Sequence, residues 1–201
     1  MDALDLVGLI ASRICHDFAG PIGALSNGIE LLADEQDADV RREFTTILSS
    51  TAANLAVRIR LYRSMVGSGA DRDIVQSSEA RGVLAGVLDA ECKIALDWAI
   101  GDDVFTKAEE RLLLSLAILG AEAMPRGGTL RVARVQGVWI VEAKGLRAAL
   151  TSDMLAVLAD KPLGDAGWRT ALAHYAREAA ARLGLAISID TRESEIMLSA
   201  K

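Results

Sequence analysis

Two long helical patterns joined by a short polar turn dictate how this chain begins to fold. Apolar residues recur at helical spacing from residue 3 to 33, placing Ile10, Ile14, Phe18, Ile22, Leu25, Ile29 and Leu32 on one side. After the turn Asp34-Glu-Gln-Asp37-Ala-Asp39 a second pattern runs from Val40 through Phe44, Ile47, Leu48, Thr51, Leu55, Ile59, Tyr62 and Val66. Two long helices with a tight turn make an antiparallel hairpin. Two helices alone cannot enclose their apolar stripe. The hairpin must therefore pair with a second copy into a four-helix bundle or lean on the rest of the chain, and dimerisation is the simpler solution.

The first helix carries an anomaly. It contains Gly20, Pro21, Gly23 and Gly28, although an interior Gly costs a helix about 1 kcal/mol and an interior Pro about 3. Something other than helix stability selects them. At about 100° per residue, Ser12, Gly20, Gly23 and Asn27 fall within about 40° of His16, opposite the apolar stripe. The imidazole is thus displayed on a strip of small residues that another protein can approach. Asp17 is placed to hydrogen-bond one ring nitrogen, fixing the tautomer, or to be a solvated helix carboxylate. Gly20 and Gly23 read either as clearance for a docking partner or as close packing contacts inside the bundle. Asn27 reads as a partner contact or a solvated side chain. Arg58 and Arg63 on the second helix read as solvated or capping residues.

Gly67-Ser-Gly-Ala-Asp-Arg-Asp73 is a Gly-rich break where the pattern changes. It divides an expected helical dimerisation domain, residues 1–68, from a second domain, residues 72–201. In the latter, Ser77-Ser-Glu79 opens a helix to about Glu91, and Lys93 to Trp98 alternates as a strand. Thr106-Lys-Ala-Glu109 is a capping box for a helix to Met124, stopped by Pro125-Arg-Gly-Gly128. Thr129–Val135 and Val138–Ala143 form a hairpin around Gln136-Gly137. Ser152–Leu158 is a short helix, Ala166–Leu183 a long one closed by Gly184, and Leu185–Asp190 with Glu195–Ser199 a final strand pair. The expected class is α+β, a helical hairpin followed by an α/β sandwich with helices on one face of a mixed sheet. His174, beside Tyr175, reads as a packing histidine, and Trp98, Trp139 and Trp168 as core or edge residues.

Charge and cysteines narrow the function classes. The chain has 201 residues, a net charge of −6 and two cysteines, Cys15 and Cys92, with no paired metal or disulfide spacing. No basic footprint favours nucleic acid or an anionic membrane surface. The start Met-Asp-Ala-Leu-Asp lacks a secretory n-region, and the longest apolar stretch, Leu112 to Ala121, is far shorter than the about 20 residues of a membrane span. A cytoplasmic protein with protein or small-molecule partners is expected.

His16-Asp17-Phe-Ala-Gly-Pro21-Ile22 resembles the phosphoacceptor box of sensor histidine kinases. With Gly23-Ala-Leu-Ser-Asn27-Gly-Ile-Glu-Leu-Leu32 and Ala56-Val-Arg58-Ile-Arg-Leu-Tyr-Arg63, the chain resembles more closely the ChpT-type histidine phosphotransferases. Glu122-Ala-Met-Pro-Arg-Gly-Gly-Thr-Leu130 is similar to the end of the kinase N-box helix and its following strand. The resemblance implies a dimer with a kinase-like architecture that relays phosphoryl groups between response-regulator receiver domains, from that of a hybrid kinase to a downstream regulator. The chain departs from the kinases where they bind nucleotide. The two N-box asparagines align with Ser115 and Leu119, and the adenine-binding region reads Val141-Glu-Ala143-Lys-Gly145-Leu-Arg147. Without those ligands the phosphoryl donor should be another protein. No cofactor is expected, the Mg²⁺ coming from the partner receiver. Catalysis is assigned to His16 and Asp17, docking to Ser12, Gly20, Gly23 and Asn27. The rivals are an ATP-dependent histidine kinase with an atypical site and a non-catalytic dimeric adaptor.

Overall fold

The computed structural model describes residues 1–67, 69–70, 73–91, 93–161 and 167–201, leaving aside the side chains at 90 and 91. Cys92, the expected domain start at 72 and the expected helix start at Ala166 lie outside the described residues.

Helix α1 spans Ala3–Asp34 and α2 spans Ala38–Val66. Both begin on an aspartate whose carboxylate accepts orphan backbone N–H groups. Asp2 closes a capping box with Asp5, and Asp37 accepts from Asp39 and Val40. Arg41 reaches back to the carbonyls of Leu32 and Glu35 at 3.1 and 3.0 Å, satisfying acceptors at the end of α1. The helices close on each other at Gly28, where an added Cβ would lie 2.6 Å from Leu48 Cδ2. The seam is narrow: Ile22, Ile29, Ile47 and Ile59 remain about half exposed.

The remaining chain builds two sheets. Strands β1 (Ile74–Gln76) and β3 (Val104–Thr106) pair antiparallel. Strands β2 (Ile94–Ala99), β4 (Gly128–Val135), β5 (Val138–Lys144), β6 (Ile187–Arg192) and β7 (Glu195–Ala200) form a mixed sheet in the order β2-β4-β5-β7-β6, with only β2 and β4 parallel. Burial alternates along it. Leu130 and Val132, Trp139, Val141 and Ala143, and Ile196, Leu198 and Ala200 face the core, while Arg131 reaches Asp97 and Glu142 on the open face. The β4–β5 turn has Gln136 and Gly137 at φ 51° and 83°, the mirror-image turn whose twist suits a two-residue hairpin.

Helix α4 (Lys107–Glu122) covers the inner face with α3 (Ser77–Glu91), α5 (Ser152–Leu158) and α6 (Ala171–Arg182). The Thr106–Glu109 capping box opens α4. Its apolar run is buried on every side because α2, α3 and α6 surround the faces that the sheet does not. Helix α1 also packs on α6.

Two expectations are corrected. The segment expected as one long helix from Ala166 contains a separate 3₁₀ turn, Trp168–Thr170, before α6 begins at Ala171. Thr170 donates its hydroxyl to Gly167 O at 2.9 Å and holds that turn. Strands β1 and β3 were not anticipated, since three residues are too short to display alternation. Among the described residues no helix is long and apolar enough to cross a membrane.

Candidate functional site

His16 sits midway along α1 with 54% of its side chain exposed, while Asp17 is only 12% exposed. Successive residues lie about 100° apart on a helix, so one faces solvent as the next turns toward α2. His16 Nδ1 is 3.3 Å from Asp17 Oδ1. With Asp17 ionised, this geometry assigns the proton to Nδ1 and leaves the lone pair on Nε2, which has no hydrogen-bond partner among the described residues.

Asp17 is held by groups that sequence reasoning missed. Tyr62 donates its hydroxyl to Asp17 Oδ2. Arg13 Nε donates to the same oxygen at 2.9 Å, one helical turn earlier. Arg58 donates to the backbone carbonyl of Asp17 at 3.2 Å, with its guanidinium 3.8 Å from the carboxylate. The expectation of a solvated or capping Arg58 is thus corrected: the α1–α2 packing carries it to Asp17. Arg63 is exposed. The i, i+4 spacing of Arg13 and Asp17 was a legible signal, whereas Tyr62 was indistinguishable from any aromatic on a buried stripe.

Burial pushes the Asp17 carboxyl up, but the Tyr62 hydrogen bond, the charge and hydrogen bond of Arg13 and the bond to His16 outweigh it. They hold Asp17 below the ordinary aspartate value, so it is an anion. Burial and the adjoining Asp17 anion push the Tyr62 phenol up and keep it a donor. Arg13 also bridges to Glu122 at the end of α4, a carboxyl that burial raises despite the guanidinium. A chain of charges thus runs from α4 through Arg13 to Asp17 and the imidazole.

The small-residue strip is open. Ser12, Gly20, Gly23 and Asn27 are exposed, and nothing lies within 4 Å of where a Cβ would stand at Gly20 or Gly23. Within the chain, the packing glycine of α1 is Gly28. From the other end of the sequence, Trp168 stacks on His16, with ring centroids 3.7 Å apart and planes inclined by 22°. The expectation of Trp168 as a core or edge residue is corrected, while Trp139 is in the core, 1% exposed. No sequence signal links positions so far apart. His174 packs against α1 with neither ring nitrogen hydrogen-bonded among the described residues, and burial lowers its pKa.

At the positions aligned with the kinase asparagines, Ser115 and Leu119 are both fully buried. Ser115 Oγ lies 2.8 Å from the carbonyls of Arg111 and Leu112, so its proton is committed to its own helix. Ala143, in the segment aligned with the adenine-binding region of the kinases, is fully buried as well. A cleft of about 730 Å³ between the hairpin and the end of α4, lined by Arg13, Arg58, Tyr62, Lys93, Glu122 and Arg126 among others, touches none of these three positions. Among the described residues no three His, Cys, Asp or Glu side chains gather as a metal site would need.

Residues 77–195 match the family model of the histidine phosphotransferase C-terminal domain. The chain is 29% identical to the protein phosphotransferase ChpT of Brucella abortus, the match covering 100% of this chain and 97% of that one. A solved structure described as that of a bacterial phosphotransferase superposes with a TM-score of 0.89 at 28% identity, covering 100% of this chain and 98% of the other.

Proposed function

The chain belongs to the histidine phosphotransferase family, and on that premise we propose that His16 carries a phosphoryl group between the aspartates of two receiver domains. The observation that carries this reading is the restraint of the imidazole. Nδ1 faces an aspartate that Tyr62 and Arg13 keep anionic, and the half-exposed ring stands beside an open, glycine-cleared strip.

A phosphorylated receiver docks over the strip of Ser12, Gly20, Gly23 and Asn27. The Nε2 lone pair attacks phosphorus, the Nε2–P bond forms as the acyl-phosphate P–O bond breaks, and the electron pair returns to the receiver's carboxylate. The ring, still protonated on Nδ1, becomes cationic, and the Asp17 anion stabilises it. The same steps in reverse deliver the group to a second receiver. Mg²⁺, which neutralises the phosphoryl oxygens, comes from the receiver's acidic pocket. The donor is the receiver of a hybrid kinase and the acceptor that of a downstream regulator, in the cytoplasm. The half-exposed Ile22, Ile29, Ile47 and Ile59 pair with a second copy in a four-helix bundle. Buried Ser115 and Leu119 support a protein phosphodonor in place of ATP.

The test is acid-labile labelling by a panel of phosphorylated receivers. The wild-type protein takes the label, while His16→Ala folds normally and takes none. Labelled His16→Ala would refute the assignment. Autophosphorylation by Mg²⁺-ATP would favour the kinase reading, and a wild-type protein that binds receivers without acquiring label the adaptor reading.

A further inference from the structure

We infer that Trp168 is a positioning residue for the phosphoacceptor, through which the C-terminal part of the chain sets the plane of the His16 ring. The inference rests on the reading of His16 as the nucleophile and adds a requirement to it.

At 3.7 Å between centroids and 22° between planes, the two rings are in van der Waals contact face to face. The indole is itself restrained. It belongs to the 3₁₀ turn Trp168–Thr170, which packs on α1 and is anchored by Thr170, only 3% exposed. The guanidinium of Arg169 lies 4.5 Å from the ring centroid, and that of Arg13, fixed by Asp17 and Glu122, lies 5.5 Å away. Arg13 therefore touches both groups that restrain His16.

A half-exposed histidine is free to change rotamer and to turn about its ring torsion. Asp17 restrains the ring at one edge, at Nδ1. The Trp168 face restrains its plane, and together they aim the in-plane lone pair of Nε2. In-line transfer depends on that aim, because reacting atoms must meet at about 3–3.5 Å with orbitals aligned. The stack has a second consequence. Phosphorylation at Nε2 with the Nδ1 proton in place makes the ring cationic, and an aromatic face attracts that cation more than a neutral ring. Trp168 thus favours the phosphorylated ring without touching the phosphoryl group.

The experiment uses the full chain and two donors: a phosphorylated receiver that labels the wild type, and phosphoramidate, a small donor that needs no protein docking. Trp168→Leu, which keeps apolar cover but no flat face, is expected to lower the labelling rate at saturating receiver by about tenfold. The half-saturating concentration should stay unchanged, and labelling by phosphoramidate should slow equally. Trp168→Phe, which keeps a flat face, should restore most of the rate. Unchanged rates in Trp168→Leu would overturn the inference. So would a defect confined to the half-saturating receiver concentration with phosphoramidate labelling intact, which marks a docking contact. The wild-type protein supplies a readout independent of how variants fold. Its two histidines, His16 and His174, are assigned by His16→Ala, and the His16 ring protons should resonate upfield under the indole ring current. His16 protons at the free-imidazole position would overturn the stack. A wild type that neither donor labels would refute the His16 reading itself, with the ring-current shift still reporting on the stack.

Discussion

Along its 32 residues α1 buries only Ile10 and Gly28, whereas α4 buries every residue from Leu112 to Ala121. Both helices are rich in apolar residues, so composition does not separate them. Position does. Helix α4 lies between the sheet and α2, α3 and α6, and a helix enclosed on all sides can be apolar all round. Helix α1 rests on α2, α6 and the Trp168–Thr170 turn and leaves open the flank beside His16 that carries Gly20 and Gly23. The comparison teaches that the number of sides on which a helix is packed, more than its composition, decides what it exposes. The positions aligned at the outset with the kinase asparagines, Ser115 and Leu119, lie in the core, while the helix that carries His16 is largely surface.

The sharpest way to break this contrast is to cut apolar groups from both helices. Leu119→Ala should destabilise the folded chain by about 2–5 kcal/mol, the cost of a cavity in a packed core. Ile22→Asp with Ile29→Asp, at positions 51% and 59% exposed, should leave each chain folded and instead abolish the proposed pairing with a second copy. Denaturant titration and light scattering on the same samples read both. Loss of chain stability from the isoleucine pair equal to that from Leu119→Ala would show that α1 is core after all.

A smaller effect separates the glycines within α1. Gly20→Ala and Gly23→Ala should raise stability by up to about 1 kcal/mol each, since the added methyl meets open space and Ala is the better helix former. Gly28→Ala should gain little, because Leu48 must first move aside. Gly23→Arg should hold stability yet slow transfer by obstructing the receiver. A Gly23→Arg protein that melts early or dissociates would put the strip inside the bundle.

The smallest expected effect is a pH dependence of opposite sign at the two carboxyls that share Arg13. Asp17 is held below its ordinary value, so its contribution is fully present above about pH 4 and lost as pH falls through its folded-state pKa. Glu122 is raised, so its contribution is present at low pH and lost as pH rises through its folded-state pKa. Urea midpoints between pH 3 and 6 should fall less steeply toward acid in Asp17→Asn than in the wild type, and more steeply in Glu122→Gln. Identical slopes in the two variants would mean that Arg13 does not divide the carboxyls in this way.

Much of the architecture was legible because it is local. Helical spacing marked α1 and α2, Thr106 and Glu109 marked the start of α4, Gln136-Gly137 the β4–β5 turn, and Ser152–Leu158 was read residue for residue. Each follows from side-chain periodicity or backbone conformations set within a few residues. The exposure of His16 and its glycine strip was legible for the same reason, as a phase angle on one helix. The site's other members were not. Tyr62 and Arg58 reach Asp17 only once α2 packs on α1, Glu122 meets Arg13 only at the end of α4, and Trp168 covers His16 only because a 3₁₀ turn interrupts an otherwise helical pattern. By itself the sequence determined that His16 stands exposed beside a strip of small residues, since that depends on one helix. What holds that residue in place was decided by tertiary structure alone, because those contacts join segments with no common period.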